Sequence, residues 1–165
     1  MKSFESKFEV YLKKVQKPAR YIGNEFNSVH KDNFSDLVSF AFCFPDVYEV
    51  GMSHLGMKIL YHMMNERTDT VCERVFAPWV DMEEELRKND IPLLSLESHI
   101  PVSEFDIVGF TLQYEMSYSN VINMLDLAKI PLKSADRGEN DTFVCAGGPV
   151  RIMANPLPIL WTSLS

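Results

Sequence analysis

Three shortages narrow what this 165-residue chain can be. Its 3 cysteines, Cys43, Cys72 and Cys145, stand far apart. They form no C-x-x-C or other cluster spacing, which argues against a metal site built by cysteines alone. Cys43 and Cys145 instead lie in apolar runs, where cysteine serves as a small buried hydrophobe. An odd count without a secretory leader points to a reducing cytoplasm. Basic residues are also in deficit, 16 against 23 acidic, for a net charge of -7. Phosphate backbones need a concentrated basic surface, so nucleic acid is not the main partner expected. The short cluster Lys13, Lys14, Lys17 and Arg20 reads as a solvated face, with an anion or partner contact as the alternative. Long apolar runs are missing as well. None approaches the roughly 20 residues of a membrane helix, and the opening "MKSFESKFEV" has no apolar h-region. Neither a G-x-G-x-x-G fingerprint nor a P-loop occurs, and no serine–histidine–acid pattern or nucleophile elbow can be identified.

What is present is one domain's worth of core, in a rhythm of strands and helices. Residues 5 to 16 are weakly amphipathic, and with the stretch to about residue 35 they read as a leader packed on the domain. "LVSFAFCF", Leu37 to Phe44, is apolar, aromatic and β-branched, as in a buried strand. "PDVYEVGMSH" supplies a turn with Ser53 as helix N-cap. A helix over Leu55 to Glu66 follows, whose Leu55, Ile59, Leu60, Met63 and Met64 share a face expected to join the core. "VCERVFAP" reads as a second strand, Trp79 to Asn89 as an acidic surface helix, and Ile91 to Leu96 as a third strand. "FDIVGFTL" is a fourth strand. It leads into a helix with Tyr118, Val121, Ile122, Leu125 and Ala128 on one side, stopped by Pro131. "TFVCAGG" is a fifth strand. Strands alternating with helices predict an α/β fold with a doubly wound, Rossmann/flavodoxin-like parallel sheet of about five strands, incomplete at the C-terminal end. The expected division is a leader at 1–35, the Rossmann-like domain at 36–149 and an aberrant tail at 150–165.

Ligands of such folds sit at the carboxyl ends of the strands. The loops Pro45 to Gly51, Glu97 to His99, Gln113 to Ser117 and Gly147 to Pro149 are therefore expected on one rim. Gly147 and Gly148 make either a tight turn or a place where a flat or phosphorylated cofactor can approach. Gln113, Tyr114, Glu115, Ser117 and Ser119 carry groups that could bond a polar ligand edge, unless Ser117 simply caps the helix. Asp46, Glu49 and Glu115 have acid–base chemistry, but nothing in the spacing makes them converge. His54 and His62, eight residues apart, make no two-ligand metal pair.

The runs "QKPARYIGNEFNSVHKD", "FAFCFPDVYEVGMSHLGMKILYHMMNER", "ERVFAPWVDMEEELRKNDIPLLSLES", "FDIVGFTLQYEMSYSNVINMLDLAKIPL" and "AGGP" together resemble the N-terminal region of a bacterial family of cobalamin-binding-type radical-SAM proteins, over about Lys17 to Pro149. The resemblance implies a cobalamin-binding-like Rossmann domain preceding a radical-SAM domain. In that missing or separately supplied domain, a C-x-x-x-C-x-x-C motif holds a four-iron cluster that binds and cleaves S-adenosylmethionine. This chain has no such motif, so it is expected to be inactive alone. Its alternatives are a docking module for a separate radical-SAM subunit, or part of an intact enzyme whose catalytic half lies elsewhere. The resemblance also implies the site. Cobalamin proteins that replace the cofactor's lower ligand use D-x-H-x-x-G after the first strand, and here the place reads Asp46, Val47, Tyr48, Glu49, Val50, Gly51. Tyrosine replaces the cobalt-binding histidine, and a neutral phenol is a poor cobalt ligand. If cobalamin binds, no histidine of this loop is on the metal. The cofactor-binding positions expected are Asp46, Tyr48, Gly51, Gln113, Tyr114, Glu115, Ser117, Gly147 and Gly148.

After "GGP" the family pattern resembles "YN-x-EP" followed by an acidic "ADFVDLF" segment, whereas this chain reads "VRIMANPLPILWTSLS" with no acidic residue beyond Asp141. Reading each triplet from the third base of the preceding codon recovers that family phrase with suitable synonymous codons. Met153–Ala154 then forces glycine and Trp161–Thr162 forces aspartate. A one-base frameshift near Pro149, leaving a truncated and aggregation-prone product, is the expectation, and the coding DNA tests it.

Overall fold

The computed structural model describes residue 8, residues 10–32 and residues 34–148. The expected aberrant tail at 150–165 and the frameshift expected near Pro149 lie outside those residues. Four strands alternate with helices: β1 (Val38–Phe44), α1 (Tyr48–Ser53), α2 (Leu55–Glu66), β2 (Thr70–Phe76), α3 (Val80–Lys88), β3 (Ile107–Thr111), α4 (Ser117–Leu127) and β4 (Phe143–Gly147). All pairings are parallel, in the order β2-β1-β3-β4. The chain leaves β1 for β2 on one side and later reaches β3 on the other, so the topological switch point falls between β1 and β3.

Strand alternation divides the core in two. Ala41 and Cys43 of β1 face one way and join Val75, Val108, Phe110, Val144 and the apolar residues of α3 and α4. Phe42 and Phe44 face the other way and meet Met57 and Tyr61 of α2, with Cys72 and Phe76 of β2. Two helices thus cover one face, and α2 lies on the other. Leader residues Phe8 and Val15 are buried in the larger cluster.

The structure corrects three local expectations. Ile91 to Leu96 is not a strand, because that segment pairs with its own continuation. Ser95 N–H donates to Ile100 O (2.9 Å), Val102 N–H donates to Leu93 O (2.9 Å), and Leu94 bridges Pro101. Among the described residues the sheet therefore has four strands rather than five. "YEVGMS" is a helix, α1, and not a turn. Its Ser53 hydroxyl bonds back to Val50 O (2.7 Å), while the N-cap of α2 is His54, whose Nδ1 accepts from Met57 N–H (3.2 Å). Finally, Leu55, Ile59, Leu60 and Met63 of the expected core stripe are exposed, and the buried residues of α2 are Met57 and Tyr61.

Candidate functional site

Four loops at the carboxyl ends of the strands are stitched into one rim. Ala77 N–H donates to Asp46 O (3.0 Å), joining the ends of β2 and β1. Leu112 N–H donates to Gly147 O (2.7 Å), joining β3 and β4. Across the switch point, the Tyr114 hydroxyl donates to Asp46 Oδ2 (3.1 Å) and Asn120 Nδ2 donates to Pro45 O (2.9 Å). Asp46 Oδ1 accepts from Val47 N–H (2.7 Å), so both carboxylate oxygens have partners. Partial desolvation, and then the Asp46 carboxylate, raise the Tyr114 phenol above its ordinary value.

Of the expected positions, Asp46, Gln113, Tyr114, Glu115, Gly147 and Gly148 lie on this rim. Gln113 Nε2 bonds the Thr111 hydroxyl, and Glu115 is exposed, its backbone carbonyl accepting from Tyr118 N–H (3.2 Å). Ser117 is buried and is the first residue of α4, not its cap. Its hydroxyl closes onto Tyr114 O (2.6 Å). The two glycines differ. Gly147 has open space where a Cβ would stand, whereas Gly148 has φ +130° and its Cβ would lie 2.2 Å from Leu112 O. Gly148 is thus required by close backbone approach.

Tyr48 and Gly51 turn away from the switch point. The Tyr48 hydroxyl donates to Glu25 Oε1 (2.9 Å), and its ring meets Phe76 edge-on at 5.5 Å. Burial, then the Glu25 carboxylate, push its phenol up to about 12. A hydroxyl so committed does not fit cobalt as a ligand. Gly51 is buried in α1, where a Cβ would meet the Phe76 ring at 2.3 Å, so it is a packing glycine.

The segment Glu97 to His99 is not on the rim either. It lies along the outer edge of β2, where Leu96 N–H donates to Arg74 O (2.8 Å) and the Glu97 carboxylate accepts from Arg74 N–H (2.8 Å) and Arg74 Nε (2.6 Å). A carboxylate thereby caps part of an edge that would otherwise be open for pairing. Arg74 also reaches Ser28 Oγ (3.0 Å) and Glu25 Oε2 (3.5 Å), and lies 4.4 Å over the Tyr61 ring. Sequence reasoning missed this buried hub. Its one signal was a charged pair, Glu73–Arg74, inside an otherwise apolar run.

The thiols do not fit an iron–sulfur cluster. Cys43 and Cys72 are buried and Cys145 half-buried, on three different strands. Burial pushes the Cys43 and Cys72 thiols up, away from the thiolate a cluster needs. Among the described residues no group of three His, Cys, Asp or Glu side chains could hold a metal ion.

What sequence reasoning also missed is how apolar the rim is. Trp79 and Val80 after β2, and Tyr114 and Met116 after β3, are 45%, 69%, 44% and 80% exposed. The family model described as "Radical SAM proteins, N-terminal" matches residues 56–161. The chain belongs to this radical-SAM N-terminal family. The match takes in α2, all of β2, β3 and β4, and both helices of the opposite face. No curated protein and no solved structure matches this radical-SAM N-terminal chain. Among its described residues no helix is long and apolar enough to cross a membrane.

Proposed function

We propose that the chain is a non-catalytic docking module whose carboxyl rim seats on a radical-SAM core, supplied by the same protein or by a separate subunit. One observation carries this reading: the polar groups at the switch point are largely paired with one another, while Trp79, Val80, Tyr114 and Met116 stand exposed around them. Aromatic residues and methionine are the side chains enriched at the centres of protein interfaces. The four-iron cluster and S-adenosylmethionine then belong to the core. With three free thiols, the compartment this reading assigns is a reducing cytoplasm.

A second reading, a cobalamin-binding module, is favoured by the parallel order with its switch point and by the open space at Gly147. In it Asp46, Gln113 and Tyr114 would hold the corrinoid by hydrogen bonds, and the loop after β1 would give cobalt no side chain.

The test is association in trans. The 165-residue chain is titrated against the C-x-x-x-C-x-x-C-bearing region of a radical-SAM protein of this family by sedimentation velocity. Met116→Asp and Trp79→Ala should each weaken binding by about tenfold or more, with thermal unfolding unchanged. Binding equal to the parent chain in both variants overturns the docking rim. A parallel titration with hydroxocobalamin that shifts the visible absorbance, and loses the shift in Tyr114→Phe, would establish the second reading instead.

A further inference from the structure

The leader crosses one end of the rim in a manner that the docking proposal does not use. Between Val15, which is buried, and the left-handed pair Gly23 (φ 72°) and Asn24 (φ 68°), no residue from 16 to 22 is buried. Apart from Tyr21, which packs against the larger core cluster, the segment is tied down by polar contacts. Gln16 N–H donates to Asp81 Oδ2 (2.8 Å) at the start of α3, and Lys17 (3.2 Å) and Arg20 (2.9 Å) share Glu49 Oε1 of α1. The Arg20 guanidinium lies 5.2 Å over the Trp79 ring, Trp79 N–H donates to the Tyr21 hydroxyl (3.0 Å), and the His99 ring bonds the Tyr21 carbonyl (2.8 Å). Below it is a cavity of about 40 Å³, walled by apolar side chains including Tyr21, Phe76, Pro78, Met82 and Leu93.

We infer that residues 16–22 form a displaceable strap that pivots between Val15 and Gly23, and whose release from Glu49 frees Trp79 and the apolar groove beneath it. Three features converge on this. Segments with few buried contacts and exposed bonds open at low cost relative to the core. Lys17 and Glu49 are 63% and 45% exposed, so their attraction is readily screened. Imperfect packing over a cavity forfeits the dispersion contacts that a filled site would supply. Closed, the strap holds Trp79 under Arg20. Open, it extends the exposed apolar surface from Trp79 and Val80 to Pro78 and Met82. Control of docking by the strap rests on the docking reading, but the opening itself does not.

Hydrogen exchange read by mass spectrometry tests it on the 165-residue chain. Peptides covering the amide of Gln16, which donates across to Asp81 when closed, should exchange about five- to tenfold faster in 500 mM than in 50 mM NaCl. Peptides of β1 should change less than about twofold in the same pair. Glu49→Gln should reproduce the acceleration at low salt. In a Trp161→Phe background, acrylamide should quench Trp79 more strongly under both conditions. Equal acceleration of strap and β1, which marks global opening, overturns the strap, and so does strap exchange insensitive to both salt and Glu49→Gln. A strap that stays shut while Met116→Asp still weakens docking sinks this inference alone. Opening without any docking sinks only the docking proposal.

Discussion

At the scale of single residues, the rim glycines separate backbone necessity from open space. The sequence offered two uses for Gly147–Gly148, a turn or a ligand approach, and the residues divide them. Gly148 occupies a φ that other residues rarely adopt, and its missing Cβ leaves room for Leu112 O. Any side chain there strains the backbone and collides with a carbonyl that cannot rotate away. Gly148→Ala should therefore destabilise the chain by roughly 2–4 kcal/mol in urea unfolding. Gly147→Ala meets nothing within 4 Å and should cost under about 1 kcal/mol, which is a propensity effect in a strand. Equal costs at the two sites would show that the close approach at Leu112 does not hold Gly148 in place. Tyr48 gives the same lesson about register. The family resemblance aligned it with a cobalt-binding histidine, but the Glu25 that takes its hydroxyl is 23 residues earlier and no motif connects them.

At the scale of elements, β1, β2, β3 and β4 were legible because each is a short β-branched or apolar run bounded by turn residues. The false strand at Ile91 to Leu96 has the same composition. It fails because its backbone bonds are scattered, to Leu86, Leu127, Ile100, Val102 and Arg74, rather than laddered along one neighbour, and because Glu97 gives β2 a side-chain acceptor in place of a further strand. The apolar stripe of α2 failed for a different reason. Apolar residues ring this helix nearly all round, so periodicity could not choose a face. The choice falls to Tyr61, whose hydroxyl accepts from Val29 N–H (2.8 Å) and whose ring lies under Arg74. Burial, and then the neighbouring Glu97 charge, push the Tyr61 phenol well up. This assignment has a sharp consequence. Leu60→Gln and Met63→Gln should each change unfolding free energy by less than about 0.5 kcal/mol, as for exposed positions. Tyr61→Ala should cost roughly 3–5 kcal/mol, as for a buried aromatic. A Met63→Gln cost of the size expected for a core residue would restore the sequence-derived face.

At the scale of the whole molecule, the leader, α1, α2, β2 and the segment after α3 all meet at one buried guanidinium. Arg74 binds Glu97, Glu25 and Ser28, approaches Met52 Sδ at 3.4 Å and covers Tyr61. The hub lies beside the smaller core cluster that these same pieces share, with Met57, Tyr61, Cys72, Phe76 and Leu96 at its centre, so its ionisation should be felt in global stability. Burial pushes the Glu97 carboxyl up to about 7, against the downward pull of Arg74. An acid whose pKa rises on folding carries an extra proton in the folded state between its ordinary carboxylate value and about 7. Folding is therefore favoured at the acid end of that window and loses stability as pH climbs through it. Between pH 5 and 8 the chain should lose on the order of 1–3 kcal/mol from this group, read as a falling urea midpoint at constant slope. Glu97→Gln should flatten the profile over the same range. A flat profile in the parent chain would instead mean that Arg74 keeps Glu97 ionised throughout. In that case the hub is a permanent ion pair across this range.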